Sequence, residues 1–175
     1  MALRRFCSAV VLAGCMLGAS ISSGFSAKDS VVTTSGLPLP RYVSLKSDHV
    51  NVRAGPTKDN DVAWVFTRSG LPVEITAEFE NWRRVRDSEG AEGWVYHSLL
   101  SGRRTAVITM KTRDELAPLY DRADQASAVS ARLQAGVVAQ VKRCAAGWCR
   151  VTGNGFDGWI EQQRLWGVYA DEKVD

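Results

Sequence analysis

The second half of this chain repeats the first. When Asn51 is set against Ala117, the segment "NVRAGPTKDNDVAWVFTRSG" lies over "APLYDRADQASAVSARLQAG" with no gap. The same register matches Gly70 with Gly136, Ile75 with Val141, Trp82 with Trp148 and Val85 with Val151, and one deletion then brings Gly93 over Gly158. Self-similarity at a fixed spacing is the signature of tandem domains. The 175 residues are therefore predicted to form two copies of one small domain.

The repeat also predicts where each copy begins and ends. A copy of about 60 residues makes a small core, so packing the two copies together would add stability. The segment "RRTAVI" between them is expected to be a short connector with the composition of a strand. The predicted divisions are a flexible linker at 27–40, a first domain at 41–102, a connector at 103–110, a second domain at 111–170 and a tail at 171–175.

Both copies have the composition of β-strands. Short runs of β-branched and aromatic residues, such as "VAWVF", "PVEITAEF" and "GWVY", are separated by Gly, Asn, Asp and Pro, which is typical of strands joined by turns. The segment "SAVSARLQ" has a helix-favouring composition, but its counterpart in the first copy is strand-like. The predicted fold class is all-β, with two tandem small β-barrels of about five strands each.

The first 26 residues have the composition of a secretory signal peptide. Arg4 and Arg5 are followed by an apolar run over residues 6–21 and by the small-residue exit "SSGFSA". This order is typical of a signal that is removed on export, and the small residues favour cleavage after Ser26. Two alternatives remain open. One is an uncleaved membrane anchor, and the other is acylation of Cys15, which ends the lipobox-like "LAGC".

The mature chain is nearly neutral. Removal of residues 1–26 takes away two Arg and no acidic residue, so the formal net charge falls from +3 to +1. Uniform basicity of the kind that drives nucleic-acid binding is missing. No nucleic-acid partner is therefore expected.

The cysteine count predicts one disulfide and no metal site. Cys144 and Cys149 are the two cysteines that remain after export, and a close pair in an exported protein implies a disulfide. A structural zinc site needs about four ligands. The two histidines, His49 and His97, lie in the other half of the chain, so neither a metal nor a cofactor is expected.

The cysteine pair also predicts a hairpin contact. In the repeat alignment Cys144 and Cys149 fall on Glu78 and Arg83, an opposite-charge pair. The two positions are therefore expected to touch across a hairpin in both copies, once covalently and once ionically. Direct pairing of the cysteines would place Val141 and the nearby valine of the next strand on different faces, so a bulge is required.

The first copy resembles a known family of exported domains. The residues that carry the likeness are "NVRAGP", the tryptophan hairpin that begins at Trp82, and "GWV" at residues 93–95. Together they are similar to the bacterial Src-homology-3 (SH3) domain family, whose modules occur singly or in tandem. The resemblance implies two SH3-like barrels, with a short 3₁₀ turn at "YHSLL". It is weaker in the second copy, where "APLYDR" replaces "NVRAGP".

The sequence predicts binding and not catalysis. It offers no nucleophile beside a base, no carboxylate pair at a telling spacing and no metal cluster. The resemblance implies a non-catalytic, exported periplasmic module whose partner is cell-wall peptide, peptidoglycan or an envelope protein. The alternative is a structural or adaptor protein whose SH3-like domains mediate protein contacts. A membrane association is expected only if Cys15 is lipidated.

The resemblance also implies a binding groove on the first copy. In the SH3-type fold an extended peptide lies between the loop after the first strand and the turn before the last, on aromatic walls. The residues that map onto these walls are Arg53, Trp82, Tyr96 and His97. Arg53 is expected to pair with a carboxylate, and His97 to hydrogen-bond a peptide group.

Two further aromatic residues of the first copy are predicted to face outward. In the gapless alignment Trp64 and Phe66 fall on Ser130 and Arg132, whereas the alternate positions of the strand are mostly apolar in both copies. Polar counterparts indicate a solvent-facing side, and exposed paired aromatics usually mark an interface. Trp64 and Phe66 are therefore a predicted interface.

Overall fold

The first copy forms a seven-stranded antiparallel sheet. The computed structural model describes residues 33–110, 112 and 115–175. The strands are β1 (Arg41–Leu45), β2 (Val50–Arg53), β3 (Val62–Phe66), β4 (Pro72–Phe79), β5 (Trp82–Arg86), β6 (Glu92–Tyr96) and, after a 3₁₀ turn at His97–Leu99, β7 (Leu100–Ser101). Their spatial order is β3-β2-β6-β5-β4-β1-β7. The expected 3₁₀ turn is present.

The second copy repeats this order strand for strand. Its strands are β8 (Thr105–Ile108), β9 (Ala117–Tyr120), β10 (Val129–Leu133), β11 (Val138–Ala145), β12 (Trp148–Gly153), β13 (Phe156–Glu161) and, after a 3₁₀ turn at Gln162–Arg164, β14 (Leu165–Trp166). The spatial order is β10-β9-β13-β12-β11-β8-β14. Two tandem all-β barrels are thereby confirmed. The Ala-rich segment is strand β10, so tertiary context outweighs its helix propensity.

Each barrel has its own apolar core. The first core has buried side chains from five strands, and its buried members are Leu45, Val50, Val52, Val73, Ile75, Val85 and Val95. The second core has more buried members, and they include two residues beyond the last strand, Val168 and Val174. Alternate residues of strands such as β2 are buried, as a sheet with one solvated face requires.

The gapless alignment of the two copies is wrong by one residue across β2 and β3. Arg53 pairs with Trp94, and it is Tyr120 that pairs with the equivalent Trp159, so Arg53 corresponds to Tyr120. The two copies return to the expected register at Gly70 and Gly136, whose amides donate to equivalent carbonyls. The second copy therefore lacks one residue in the loop between these points. A shift of one residue exchanges the two faces of a strand.

This shift reverses the prediction for two aromatic side chains. Trp64 and Phe66 are cross-strand partners of Val52 and Val50, which are fully buried, so they share the inner face. Both rings pack partly buried against the first core and lie edge to face, with centroids 6.1 Å apart. The prediction that they face outward is wrong. Their true counterparts, Ala131 and Leu133, are apolar as a core position demands.

The central hairpin follows the prediction in both barrels. Cys144 and Cys149 are direct cross-strand partners and form a disulfide. Glu78 and Arg83 hold the same positions in the first barrel, with 3.2 Å between Arg83 Nε and Glu78 Oε1. The register of each hairpin shifts one step before the pair, so the bulge is present in both. One backbone geometry therefore carries a covalent link in one copy and an ion pair in the other.

The boundaries of the barrels differ from the predicted divisions. Strand β8, placed in the connector at 103–110, pairs with β11 and β14 and is part of the second barrel. Val174, placed in the tail, forms a bridge with Cys144 and is buried. From Thr33 onward the predicted linker makes hydrogen bonds, including 2.8 Å from the Ser35 amide to Glu78 Oε2. The predicted signal peptide and Cys15 lie outside the described residues.

The carboxylate of Glu78 ties the segment before β1 to the first barrel. Its oxygens also accept hydrogen bonds from Ser35 Oγ at 2.7 Å and from Arg41 Nη2 at 2.5 Å. Burial raises the pKa of Glu78, but the hydrogen bonds from Ser35 and Arg41 outweigh burial and lower it to about 2. The ionised form is therefore the one that the fold stabilises.

We expect this carboxylate to make folding sensitive to acid. Because its folded-state pKa lies below the ordinary value of 4.5, its contribution is complete above that value and is lost as the pH falls towards about 2. At pH 7 Glu78→Gln should unfold more easily than wild type by on the order of 2 kcal/mol. Urea titrations at pH 7 and pH 2.5 measure the difference, which should shrink at the lower pH, whereas Glu89→Gln should track wild type. A gap that stays constant with pH would refute the role of ionisation.

The two barrels contact each other through an aromatic cluster. The ring of Tyr42 lies 5.2 Å from that of Trp166 and 4.6 Å from that of Tyr169, centroid to centroid. Tyr169 Oη donates a hydrogen bond of 2.9 Å to Glu74 Oε1. Burial, with Glu74 nearby, raises the pKa of Tyr42 to about 12 and also raises the pKa of Tyr169, so both rings stay neutral.

In the part of the chain that is described, no helix has the length and apolarity to cross a membrane.

Candidate functional site

A groove of about 320 Å³ lies on the first barrel. It runs between the loop after β2 and the 3₁₀ turn after β6, with β5 beneath. The residues that line it are Asn51, Arg53, Lys58, Trp82, Tyr96, Ser98 and Leu99. Three of the four predicted binding residues, Arg53, Trp82 and Tyr96, are therefore brought together.

The groove is built on a tryptophan and a tyrosine from adjacent strands. Trp82 begins β5, and Tyr96 ends β6 directly opposite to it. Their rings are edge to face, with centroids 5.4 Å apart and planes at 83°. Trp82 is 8% exposed and gives a rigid base, while Tyr96 is half-buried and gives a wall. Such pairs present a large, flat, amphipathic surface with little freedom to lose on binding.

The "NVRAGP" stretch positions the arginine side chain of this groove. Arg53 Nη1 donates to the carbonyl of Asn60 at 2.6 Å, and the Ala54 amide donates to Asp61 across the base of the same loop. A Cβ at Gly55 would lie 2.5 Å from Asn60 Oδ1, so a side chain there would force Asn60, whose Nδ2 donates to Thr57 Oγ1, to move. The hexapeptide therefore acts structurally, by closing a loop that holds Arg53 at the groove.

The charge of the groove is positive. Arg53 and Lys58 are basic, and no carboxylate is among the described residues that line it. Sequence reasoning missed Lys58, Ser98 and Leu99. Lys58 lies in the same long loop as Gly55, and the other two lie in the 3₁₀ turn that the family resemblance had located, so both elements pointed to them.

His97 stands apart from the groove. It is exposed, and its ring lies 5.1 Å from that of Tyr96, but it does not line the cavity. Its backbone amide donates to the carbonyl of Asn81 at 2.8 Å, which fixes the 3₁₀ turn against the β4–β5 hairpin. The structure thus gives His97 a backbone role. Trp64 packs against the first core and does not line the groove.

A second groove, of about 660 Å³, occupies the equivalent position on the second barrel. Its base is Trp148, the counterpart of Trp82, and the counterpart of Tyr96 is Glu161. Both line the groove, along with Ala123, Asp124, Gln125, Ala146, Gly147, Gln162, Gln163, Leu165, Val168, Ala170 and Asp171. Among the described residues no group of three or more His, Cys, Asp or Glu side chains is arranged to hold a metal ion.

Two small barrels of one topology, each with a groove over a tryptophan, define a protein built from tandem β-barrel modules. The chain belongs to the bacterial SH3 domain family, since the family model matches residues 46–102 and again residues 113–167. The family resemblance read from the sequence is thereby confirmed, for the weaker second copy as well. A disulfide and membership in this family are both typical of proteins that act in the cell envelope or outside the cell.

Solved structures with some likeness to the chain include two from Trichomonas vaginalis. "Structure of NlpC2 from Trichomonas vaginalis" is 15% identical, with a TM-score of 0.34, and the match covers 78% of this chain and 50% of that one. "Structure of NlpC1 from Trichomonas vaginalis" is 16% identical, with a TM-score of 0.32 and coverage of 86% and 50%. The chain spans about half the length of these matches. No curated protein sequence matches it.

Proposed function

We propose that the chain is a non-catalytic exported module whose first groove binds cell-wall peptide. The observation that carries the proposal is the convergence of Arg53, Trp82 and Tyr96 on one groove. Bacterial SH3 domains are binding modules, so a ligand groove is the expected form of their function. The two cysteines of the described chain are joined in a disulfide, which leaves no thiolate there to act as a nucleophile.

The shape of the groove suits a short extended peptide. Its volume of about 320 Å³ lies at the lower end of the range for small ligand sites, roughly 300–1,000 Å³. Extended peptides commonly dock between aromatic walls, and here the pair of Trp82 and Tyr96 provides them. A few peptide residues, and not a folded surface, are the matching ligand.

The charge of the groove selects a peptide with a carboxylate. Arg53 uses one N–H for the carbonyl of Asn60, and within the described residues its remaining N–H groups have no acceptor. Lys58 adds a second positive charge. Charge-assisted hydrogen bonds from Arg to a carboxylate are among the strongest in proteins. The free carboxylate of a cell-wall stem peptide is the ligand group that we assign to Arg53.

The proposed binding is tested by co-sedimentation with purified peptidoglycan. Tyr96→Ala removes one aromatic wall and should weaken retention by about 2 kcal/mol, or roughly thirtyfold. Lys58→Ala should weaken it less and make it less sensitive to salt. Lys142→Ala is the matched control, because Lys142 is exposed on the second barrel. Circular dichroism checks that each variant is folded.

Two outcomes would count against this binding site. Folded Tyr96→Ala protein that sediments as wild type does would place the ligand elsewhere. Wild-type protein that stays in the supernatant would exclude peptidoglycan and favour an adaptor for an envelope protein.

Export is the second part of the proposal. The disulfide is typical of an oxidising compartment, and Arg4, Arg5 and the apolar run at 6–21 have the composition of a secretory signal. N-terminal sequencing of the protein from the cell envelope should begin at Ala27, after cleavage behind Ser26. Retention of Met1 would contradict cleavage, and an acylated Cys15 would establish a lipoprotein instead.

A further inference from the structure

The grooves of the two barrels occupy equivalent positions but carry opposite charge. The first is lined by Arg53 and Lys58 and by no described acidic residue. The second is lined by Asp124, Glu161 and Asp171 and by no Lys or Arg of the described chain. The tandem copies have therefore diverged where a ligand would lie.

The loss of an aromatic wall in the second groove follows from the position of one aromatic ring. In the second barrel the partner of Trp148 is Tyr120 from β9, with ring centroids 5.6 Å apart and planes at 82°. This is the same edge-to-face geometry as in the first barrel, but the tyrosine comes from β9, the strand beyond β13, and not from the strand next to the tryptophan. The wall position on β13 is thus released from stacking and is occupied by Glu161.

The carboxylate of Glu161 is held in its charged form. It accepts hydrogen bonds from Arg164 Nε at 2.7 Å and from Gln125 Nε2 at 2.6 Å. The hydrogen bond from Arg164 holds the pKa of Glu161 below its usual range, although burial opposes the shift. Arg164 largely balances this charge from outside the groove, so the unbalanced negative charge comes from the two aspartates.

Asp124 and Asp171 have no cationic partner in the described part of the chain. Asp124 Oδ1 accepts the amide of Ala126 at 2.9 Å, and Asp171 stands at a turn with φ of 59°. The turn is fixed because the Tyr169 amide donates to Glu172 and Val174 pairs with Cys144. Both aspartates are therefore presented by ordered backbone.

A buried amide in the same groove has an unused acceptor. Gln162 lines the groove and is only 5% exposed. Its Nε2 donates to the carbonyls of Tyr169 and Glu172, at 2.7 and 3.0 Å, which fixes the orientation of the amide. Its Oε1 has no donor among the described residues. A buried acceptor without a donor is unfavourable, so a ligand N–H group that reached Oε1 from the groove would be stabilised.

We propose that the second groove binds an organic ammonium group, such as the side chain of a lysine-like residue in a peptide. An ammonium group has three N–H donors, which can bond carboxylates and carbonyls that lie on different sides of it. Its positive charge is also attracted to the face of a tryptophan such as Trp148. A bare metal ion fits less well, because the described carboxylates do not converge as a ligand group. The volume of about 660 Å³ admits several peptide residues. The inference does not depend on what the first groove binds.

The test is a titration of ¹⁵N-labelled protein with acetyl-alanyl-lysyl-alanine amide, followed by NMR at low salt. The neutral acetyl-trialanine amide is the matched probe. The lysyl probe should shift the Trp148 indole and the Gln162 side-chain amide, and the neutral probe should not. The double variant Asp124→Asn and Asp171→Asn should bind about five- to tenfold more weakly. Asn keeps the acceptor at position 124 and tolerates a positive φ at position 171.

The control removes two charges from elsewhere. Asp48 and Glu89 are exposed on the first barrel, so Asp48→Asn with Glu89→Gln should bind the lysyl probe as wild type does. The inference is overturned if the lysyl probe shifts neither Trp148 nor Gln162, or if the neutral probe shifts them equally. It is also overturned if the groove and control variants lose equal affinity, because general electrostatic attraction would then explain the binding.

Discussion

Gly93→Ala should unfold the first barrel at a much lower urea concentration than wild type requires. Gly93 lies on β6, opposite Val85, and faces the interior. A Cβ there would overlap the side chain of Val52 and lie 3.1 Å from both Arg53 O and Trp64 Cη2. Because one of these atoms belongs to the backbone, the strands cannot relax cheaply. Overpacking typically costs about 1–3 kcal/mol, and we expect the upper end of that range here. This is a large part of the free energy of unfolding of a small barrel.

The measurement is urea unfolding followed by tryptophan fluorescence. Gly102→Ala is the matched control, since a Cβ at Gly102 meets nothing within 4 Å, and it should stay within about 0.5 kcal/mol of wild type. The second barrel carries the same constraint, because a Cβ at Gly158 would lie 2.8 Å from Tyr120 O. A midpoint for Gly93→Ala equal to that of Gly102→Ala would show that β6 is not packed against β2 as described.

Gly167→Ala should damage the second barrel and its contact with the first together. Gly167 follows β14 and has φ of 120°, a conformation that side chains rarely adopt. Its Cβ would lie 2.5 Å from Thr105 O and 2.9 Å from Ala106 Cα, and 3.1 Å from Pro72 Cβ of the first barrel. Backbone strain and steric overlap add, so we expect the free energy of unfolding to fall by about 3 kcal/mol or more.

Calorimetry of Gly167→Ala and Gly155→Ala separates the two causes. Gly155 also has a positive φ, of 84°, but a Cβ there meets nothing within 4 Å. The free energy of unfolding of Gly155→Ala should fall by only about 1 kcal/mol, because of backbone strain alone. The hydrogen bond from Tyr169 to Glu74 should break only in Gly167→Ala, as loss of the tyrosine's contacts in NMR spectra would report. Equal losses in the two variants would exclude the overlap at Thr105.

The fold could be predicted from the sequence because its signals are local or repeated. Alternating apolar residues indicated the strands, and the Glu78–Arg83 and Cys144–Cys149 matches indicated a bulged hairpin. The register of β3 could not be predicted in this way. A one-residue deletion in a loop changes no local pattern, yet it shifts the alignment of the preceding strand by one position. Such a shift exchanges the residues assigned to the two faces, and Trp64 was misplaced for this reason.

The candidate site was predictable to the extent that it depends on the barrel topology. Trp82 and Tyr96 are brought together by strand pairing, which the family resemblance implied. Lys58 was missed because its position depends on the path of a long loop, which local sequence patterns do not define. The acidic groove was missed because the gapless alignment placed Leu119, and not Tyr120, opposite Arg53. This hid the β9 tyrosine that pairs with Trp148.

The central claim is that the first groove holds a carboxylate-bearing cell-wall peptide. An NMR titration with a soluble stem peptide released from peptidoglycan tests it most directly. We predict saturable shifts at the Trp82 indole and at the backbone amides of Lys58, Tyr96 and Leu99, with weaker binding in Tyr96→Ala. Unchanged signals for Trp82 and Tyr96 at saturating peptide would contradict the claim, whatever occurs at the second barrel.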